Sequence, residues 1–70
     1  MDDRRSAEQI RDRALKAVAE LSRLLDDCRE WCPGPDFERI GIGVGLAIGQ
    51  VQMHILDPIY GRYPELDEHR

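Results

Sequence analysis

The chain reads as all-α: an antiparallel helical hairpin, about 7–31 and 37–56, that pairs with a second copy into a four-helix bundle and ends in an irregular C-terminal tail. Three observations predict this. Apolar residues recur at alternating three- and four-residue steps from Ala7 to Trp31, the spacing of one helix face. Pro33-Gly34-Pro35 follows, and two prolines around a glycine cannot continue a helix. A second apolar stretch, Ile40 to Leu56, then carries Gly41, Gly45 and Gly49, spaced so that they line one side of a helix.

Each element can be justified in order. Residues 1–6 form a flexible start, within which Ser6 followed by Gln9 has the capping-box pattern. In the first helix Ala7, Ile10, Ala14, Ala17, Leu21, Leu24, Cys28 and Trp31 make an apolar stripe, widened by Val18, Leu25 and Cys32. Arg13, Lys16, Glu20, Arg23, Asp27 and Glu30 fall outside it. Residues 32–36 are the turn, with Asp36 as the N-cap of the second helix and Glu38 near its positive end. So short a connection sets the two helices antiparallel.

The second segment needs arbitration, because Ile40, Ile42, Val44, Leu46 and Ile48 alternate with small residues as a strand would. The alternation changes phase at Val51, Met53 and Ile55, and no second strand exists for it to pair with. As a helix, Phe37, Ile40, Val44, Ile48, Val51 and Ile55 form one aliphatic face. The glycines with Ile42, Met53 and Leu56 form another. Pro58 ends the helix, and Pro58 to Arg70 form the tail, whose Tyr60, Tyr63 and Leu66 are the candidate partner surface.

A helix apolar around most of its circumference belongs at the centre of an assembly. One neighbouring helix covers one side, and a second copy of the chain is the simplest cover for the other. Each interior glycine costs about 1 kcal/mol relative to alanine, which close helix–helix approach offsets. The expected oligomer interface is therefore Gly41, Gly45, Gly49, Ile42, Ile48, Met53 and Leu56.

Composition narrows the function classes. Seventy residues make one small domain, near the size where a single core is marginal and a partner subunit is a common remedy. The net charge of −4 is uneven. Residues 1–16 carry five basic against four acidic groups, and residues 17–70 carry five against ten. An acidic body argues against nucleic acid, whose affinity comes mainly from phosphate neutralisation. Arg4, Arg5, Arg11, Arg13 and Lys16 define the rival reading, a dimeric nucleic-acid module.

Other motifs are weaker. Gly41-x-Gly43-x-Gly45 lacks the preceding strand and the Lys-Ser/Thr pair of a phosphate cradle. The run from Ile40 to Gly49 resembles in texture the glycine-rich helix of ATP synthase rotor-ring subunits, without amounting to a family match. A membrane span needs about 20 apolar residues, and Gln50, Gln52, His54 and Asp57 interrupt too early. Cys28 and Cys32 supply two thiols one turn apart, too few for a structural zinc site, so a metal or redox site would have to be shared between subunits. No cofactor is expected, and His54 lacks the second group that acid–base catalysis needs.

The expectation is thus a small acidic homo-oligomer, not an enzyme, acting by protein–protein binding as a regulator, inhibitor or adaptor. Two cysteines and a start without the apolar run of a secretion signal point to a reducing cytoplasm.

Overall fold

The computed structural model describes residues 3–32 and 34–67 and is all-α. Two long helical rods and a final turn make up the chain: α1 (Arg4–Trp31), α2 (Pro35–Val51), a π-helical turn (Gln52–Leu56), α3 (Asp57–Arg62) and a 3-10 turn (Pro64–Leu66). Among the described residues there is no strand. The 28 residues of α1 span about 42 Å at 1.5 Å each, nearly the full 44 Å of the molecule.

The start of α1 lies earlier than the sequence pattern suggests. Asp3, rather than Ser6, is the N-cap: Arg5 N–H donates to its Oδ1 at 3.0 Å, and Ser6 Oγ donates to its Oδ2 at 3.3 Å. A carboxylate accepts from the orphan amides and also meets the positive helix end. Residues 3–6 of the expected flexible start are therefore cap and first turn; residues 1–2 lie outside the description. At the other end α1 stops at Trp31 as expected, with Cys32 leaving helical geometry at φ −146° and ψ 77°.

The second helix begins at Pro35, so Asp36 sits in its first turn instead of capping it. The cap is Gly34, at φ 86° and ψ −143°, a conformation that side chains disfavour and glycine adopts freely. Pro35 then takes the first helical position, where its missing N–H costs nothing.

Pro58 does not end the second helix. The rod is helical from Pro35 to Arg62, because the turn before the proline widens: Asp57 N–H bonds to Gln52 O, five residues back. A proline inside an α-helix clashes with the carbonyl four residues earlier, and a π turn relieves that clash. Residues 58–62 of the expected irregular tail are thus helical, and 64–66 form a 3-10 turn. Residues 68–70 of the tail lie outside the description.

The wide turn also re-phases the rod. Phe37, Gly41, Val44, Ile48 and Val51 are buried or half-buried at helical spacing. Continued unchanged, that row would reach Ile55, Pro58 and Arg62. Instead the buried positions are Leu56 and Ile59, with half-buried Tyr63 following, one residue further on in each case. Ile55 is 38% exposed. Leu56, expected on the glycine side, is 1% exposed. Sequence spacing assumed a constant 3.6 residues per turn and so assigned these two residues to each other's faces.

The two rods lie side by side and run in opposite directions. Arg29 stacks over Phe37 at 5.6 Å, and Leu25 is the side chain nearest Gly41. Towards the other end Ala7 clusters with Ile59 and Leu66, and Arg4 Nε meets Glu65 Oε1 at 3.2 Å. The inward row of α1 is Ala7, Arg11, Ala14, Val18, Leu21, Leu25, Cys28 and Cys32. Its alternating four- and three-residue steps are those of a left-handed helix–helix seam. Ile10, Ala17, Leu24 and Trp31, taken from the sequence as part of this stripe, lie on its shoulder and are exposed.

Arg11 is the member that the apolar pattern misses. Its side chain is only 12% exposed; Nη1 donates to Leu66 O at 2.8 Å and Nη2 to Asp12 Oδ1 at 2.7 Å. A long stem lies along apolar surface while its head satisfies a carbonyl. The position was legible, since Arg11 stands seven residues before Val18 in the same row.

Candidate interaction surface

One seam leaves most of the apolar surface uncovered. Among the described residues the largest fully buried side chains are Leu56 and Ile59. Nine large apolar residues are more than a third exposed, among them Trp31 at 70%, Ile42 at 66%, Leu46 at 65% and Met53 at 61%. Scattered exposed apolar residues are ordinary on a monomer. These are not scattered.

Ile42, Leu46, Gly49 and Met53 follow one another by four, three and four residues along the second helix. They occupy the side turned away from the Phe37–Val51 row that meets α1. Gly45 adjoins them and is exposed. A Cβ built at Gly43, Gly45 or Gly49 would meet nothing within 4 Å, whereas one at Gly41 would sit 3.6 Å from Leu25 Cδ1. Within the chain, then, only Gly41 has a neighbouring helix to approach. On α1 the exposed row Ile10, Ala17, Leu24 and Trp31 repeats every seven residues. An open depression of about 470 Å³ beside it is lined by Ala17, Glu20, Leu21 and Leu24.

The expected interface residues therefore separate. Ile42, Gly45 and Met53 are exposed on the outer side, and Gly49 and Ile48 are half-buried. Gly41 faces α1, and Leu56 belongs to the chain's own core. Leu46, exposed and central to the row, was not among them. Of the candidate partner surface, Leu66 is 3% exposed inside the cluster with Ala7 and Ile59, and Tyr60 and Tyr63 pack against that cluster. Leu66 has no surface to offer a partner, because the 3-10 turn folds it back and Arg11 holds its carbonyl.

Charged contacts around this surface are weak. The Arg4–Glu65 and Arg23–Glu20 pairs are mostly exposed, and such pairs contribute at most about 1 kcal/mol.

The thiols lie at the far end of α1. Cys28 Sγ and Cys32 Sγ are 2.7 Å apart and both free. The hydrogen bond with Cys32 and then burial, with smaller contributions from the charges of Cys32 and Asp36, push the Cys28 thiol up to about 11. Among the described residues no group of three His, Cys, Asp or Glu side chains gathers closely enough to hold a metal ion.

No protein-family model, curated protein or solved structure matches this chain. The rod Pro35–Arg62 is long and apolar enough to cross a membrane by length and composition alone. Only 11% of its most apolar stretch is buried within the chain.

Proposed function

We propose that the chain is a self-associating interaction module: a helical hairpin whose second helix packs on that of another copy to make a four-helix bundle. The observation that carries this reading is the outer row Ile42, Leu46, Gly49 and Met53, apolar at seam spacing, with its three large side chains exposed in the single chain and Gly49 half-buried between them. The glycines support it. Their helical cost of about 1 kcal/mol each is offset by nothing inside the chain at Gly45 and Gly49, and a close second backbone would offset it.

The areas agree with this. A compact monomer of 8.1 kDa exposes roughly 4,500 Å², and this chain exposes 5331 Å². The difference, about 800 Å², is what one partner of a standard interface buries. The radius of gyration tells the same story, at 14.5 Å against about 11 Å for a compact domain of this length.

Beyond self-association, the assembled module acts by binding another protein, as a regulator, inhibitor or adaptor, through the charged outer faces of α1. The nucleic-acid reading is the weaker one. Of its five basic residues, Arg4 is paired with Glu65 and Arg11 is turned inward onto Leu66, which leaves Arg5, Arg13 and Lys16 exposed for phosphates.

Sedimentation equilibrium over a dilution series tests the assembly, with and without phospholipid vesicles. The expected species is twice 8.1 kDa, unchanged by vesicles. A folded species of single mass at micromolar concentration refutes the bundle, and transfer of the protein into vesicles assigns the outer row to lipid instead.

A further inference from the structure

We infer that Cys28 and Cys32 of one chain form a reversible dithiol/disulfide site whose oxidant is hydrogen peroxide. Two cysteines four apart inside a regular helix have Cβ atoms about 5–6 Å apart, too far for a disulfide, which needs roughly 3.5–4.5 Å. Here the helix ends between them. Cys28 is the last buried residue of α1, and Cys32 has already left helical geometry, at φ −146° and ψ 77°. That bend turns the Cys32 sulfur back onto Cys28, to 2.7 Å. Pro33 follows in sequence, and a residue without an N–H cannot extend the helix past the bend.

The environment divides the roles. Cys28 is 2% exposed and holds its proton firmly, with its thiol pushed up to about 11. Cys32 is only half-buried, so its sulfur is the one that an oxidant reaches. Asp36 adds negative charge at the pair, which disfavours anionic oxidants such as glutathione disulfide and favours an uncharged peroxide. Cys32 Sγ attacks one peroxide oxygen; the O–O bond breaks, one water leaves and Cys32 becomes a sulfenic acid. Cys28 Sγ then attacks the Cys32 sulfur, its thiol proton passing to the departing hydroxyl, which leaves as a second water as the S–S bond forms. The two thiol hydrogens end in the two waters, and two electrons pass from sulfur to peroxide. This site lies within one chain, where the sequence alone suggests one shared between subunits, because both sulfurs of a single chain already meet; it does not depend on the assembly proposed above.

The test uses the full reduced chain treated with hydrogen peroxide, followed by thiol titration and mass spectrometry. The expected product is a single chain lacking two hydrogens, with both thiols lost, a bridged 28–32 peptide, and full recovery by dithiothreitol. Cys28→Ser leaves a Cys32 sulfenic acid that dimedone captures, while the wild type gives little adduct. Covalently linked pairs of chains, a sulfinic acid on Cys32 beside an intact Cys28 thiol, or retention of both thiols under conditions that oxidise free cysteine would each overturn the inference.

Discussion

Leu46→Ala is the substitution that separates the single chain from its assembly. In one chain the side chain is 65% exposed, so truncation removes little that the fold has already buried. Alanine is also the best helix former, and the helical spectrum of the variant should match the wild type. In a bundle the exposed two-thirds is covered. Full burial of a leucine is worth about 1.5–3 kcal/mol, which leaves about 1–2 kcal/mol to be gained at each copy. A two-fold interface counts the residue twice, so association should weaken by about 2–4 kcal/mol, or roughly 30- to 1,000-fold in dissociation constant. Sedimentation equilibrium on both proteins, over concentrations spanning the wild-type transition, reads this directly. A dissociation constant within about threefold of wild type, near 0.6 kcal/mol, would show that Leu46 faces solvent in the functional form and that the outer row is not the interface.

Further outcomes follow from the same geometry. Gly43→Ala should raise the unfolding temperature by about 4–8 °C, since it gains about 1 kcal/mol of helix stability and its Cβ meets nothing in the chain, whereas Gly45→Leu should split or distort the assembly on a sizing column. Ile59→Ala should cost about 2–5 kcal/mol in urea unfolding and Ile55→Ala less than half as much, because the π turn buries the first and leaves the second 38% exposed. Arg11→Met should cost about 1–3 kcal/mol and speed hydrogen exchange at the Leu66 amide, whose turn loses the bond from Arg11 Nη1. The contribution of Cys28 to stability should be constant below about pH 9 and fall towards pH 11 in thermal unfolding, and Cys28→Ala should remove that part of the fall. Between those values the unfolded thiol loses its proton while the folded one, pushed up to about 11, retains it, so rising pH favours the unfolded chain.

Sequence alone determined the all-α class of this protein and the presence of its two long helical segments. The three/four apolar rhythm of α1 and the Pro-Gly-Pro break are local signals. So is the excess of apolar residues over what one neighbour can cover. None of them needs a partner element to be read; α1 ends at Trp31 as the pattern places it, while the caps, the start of α2 and half of the predicted stripe lie elsewhere. The exposure of Ile42, Gly45 and Met53 on the outer side was legible for the same reason, since helix spacing fixes which residues share a face.

Tertiary structure decided the phase. Whether Leu56 or Ile55 faces α1 depends on a single extra residue in the turn before Pro58, and a constant helical period cannot contain it. Only the presence of α1 makes the continued helix worth the widened turn, because Leu56, Ile59 and Leu66 then find Ala7 and the rest of the inward row. The inward turn of Arg11 has the same origin: a charged side chain enters a seam only where another element presents a carbonyl to it. The meeting of Cys28 with Cys32 likewise follows from where α1 stops and bends, and four-residue spacing within a helix would have kept the two sulfurs apart.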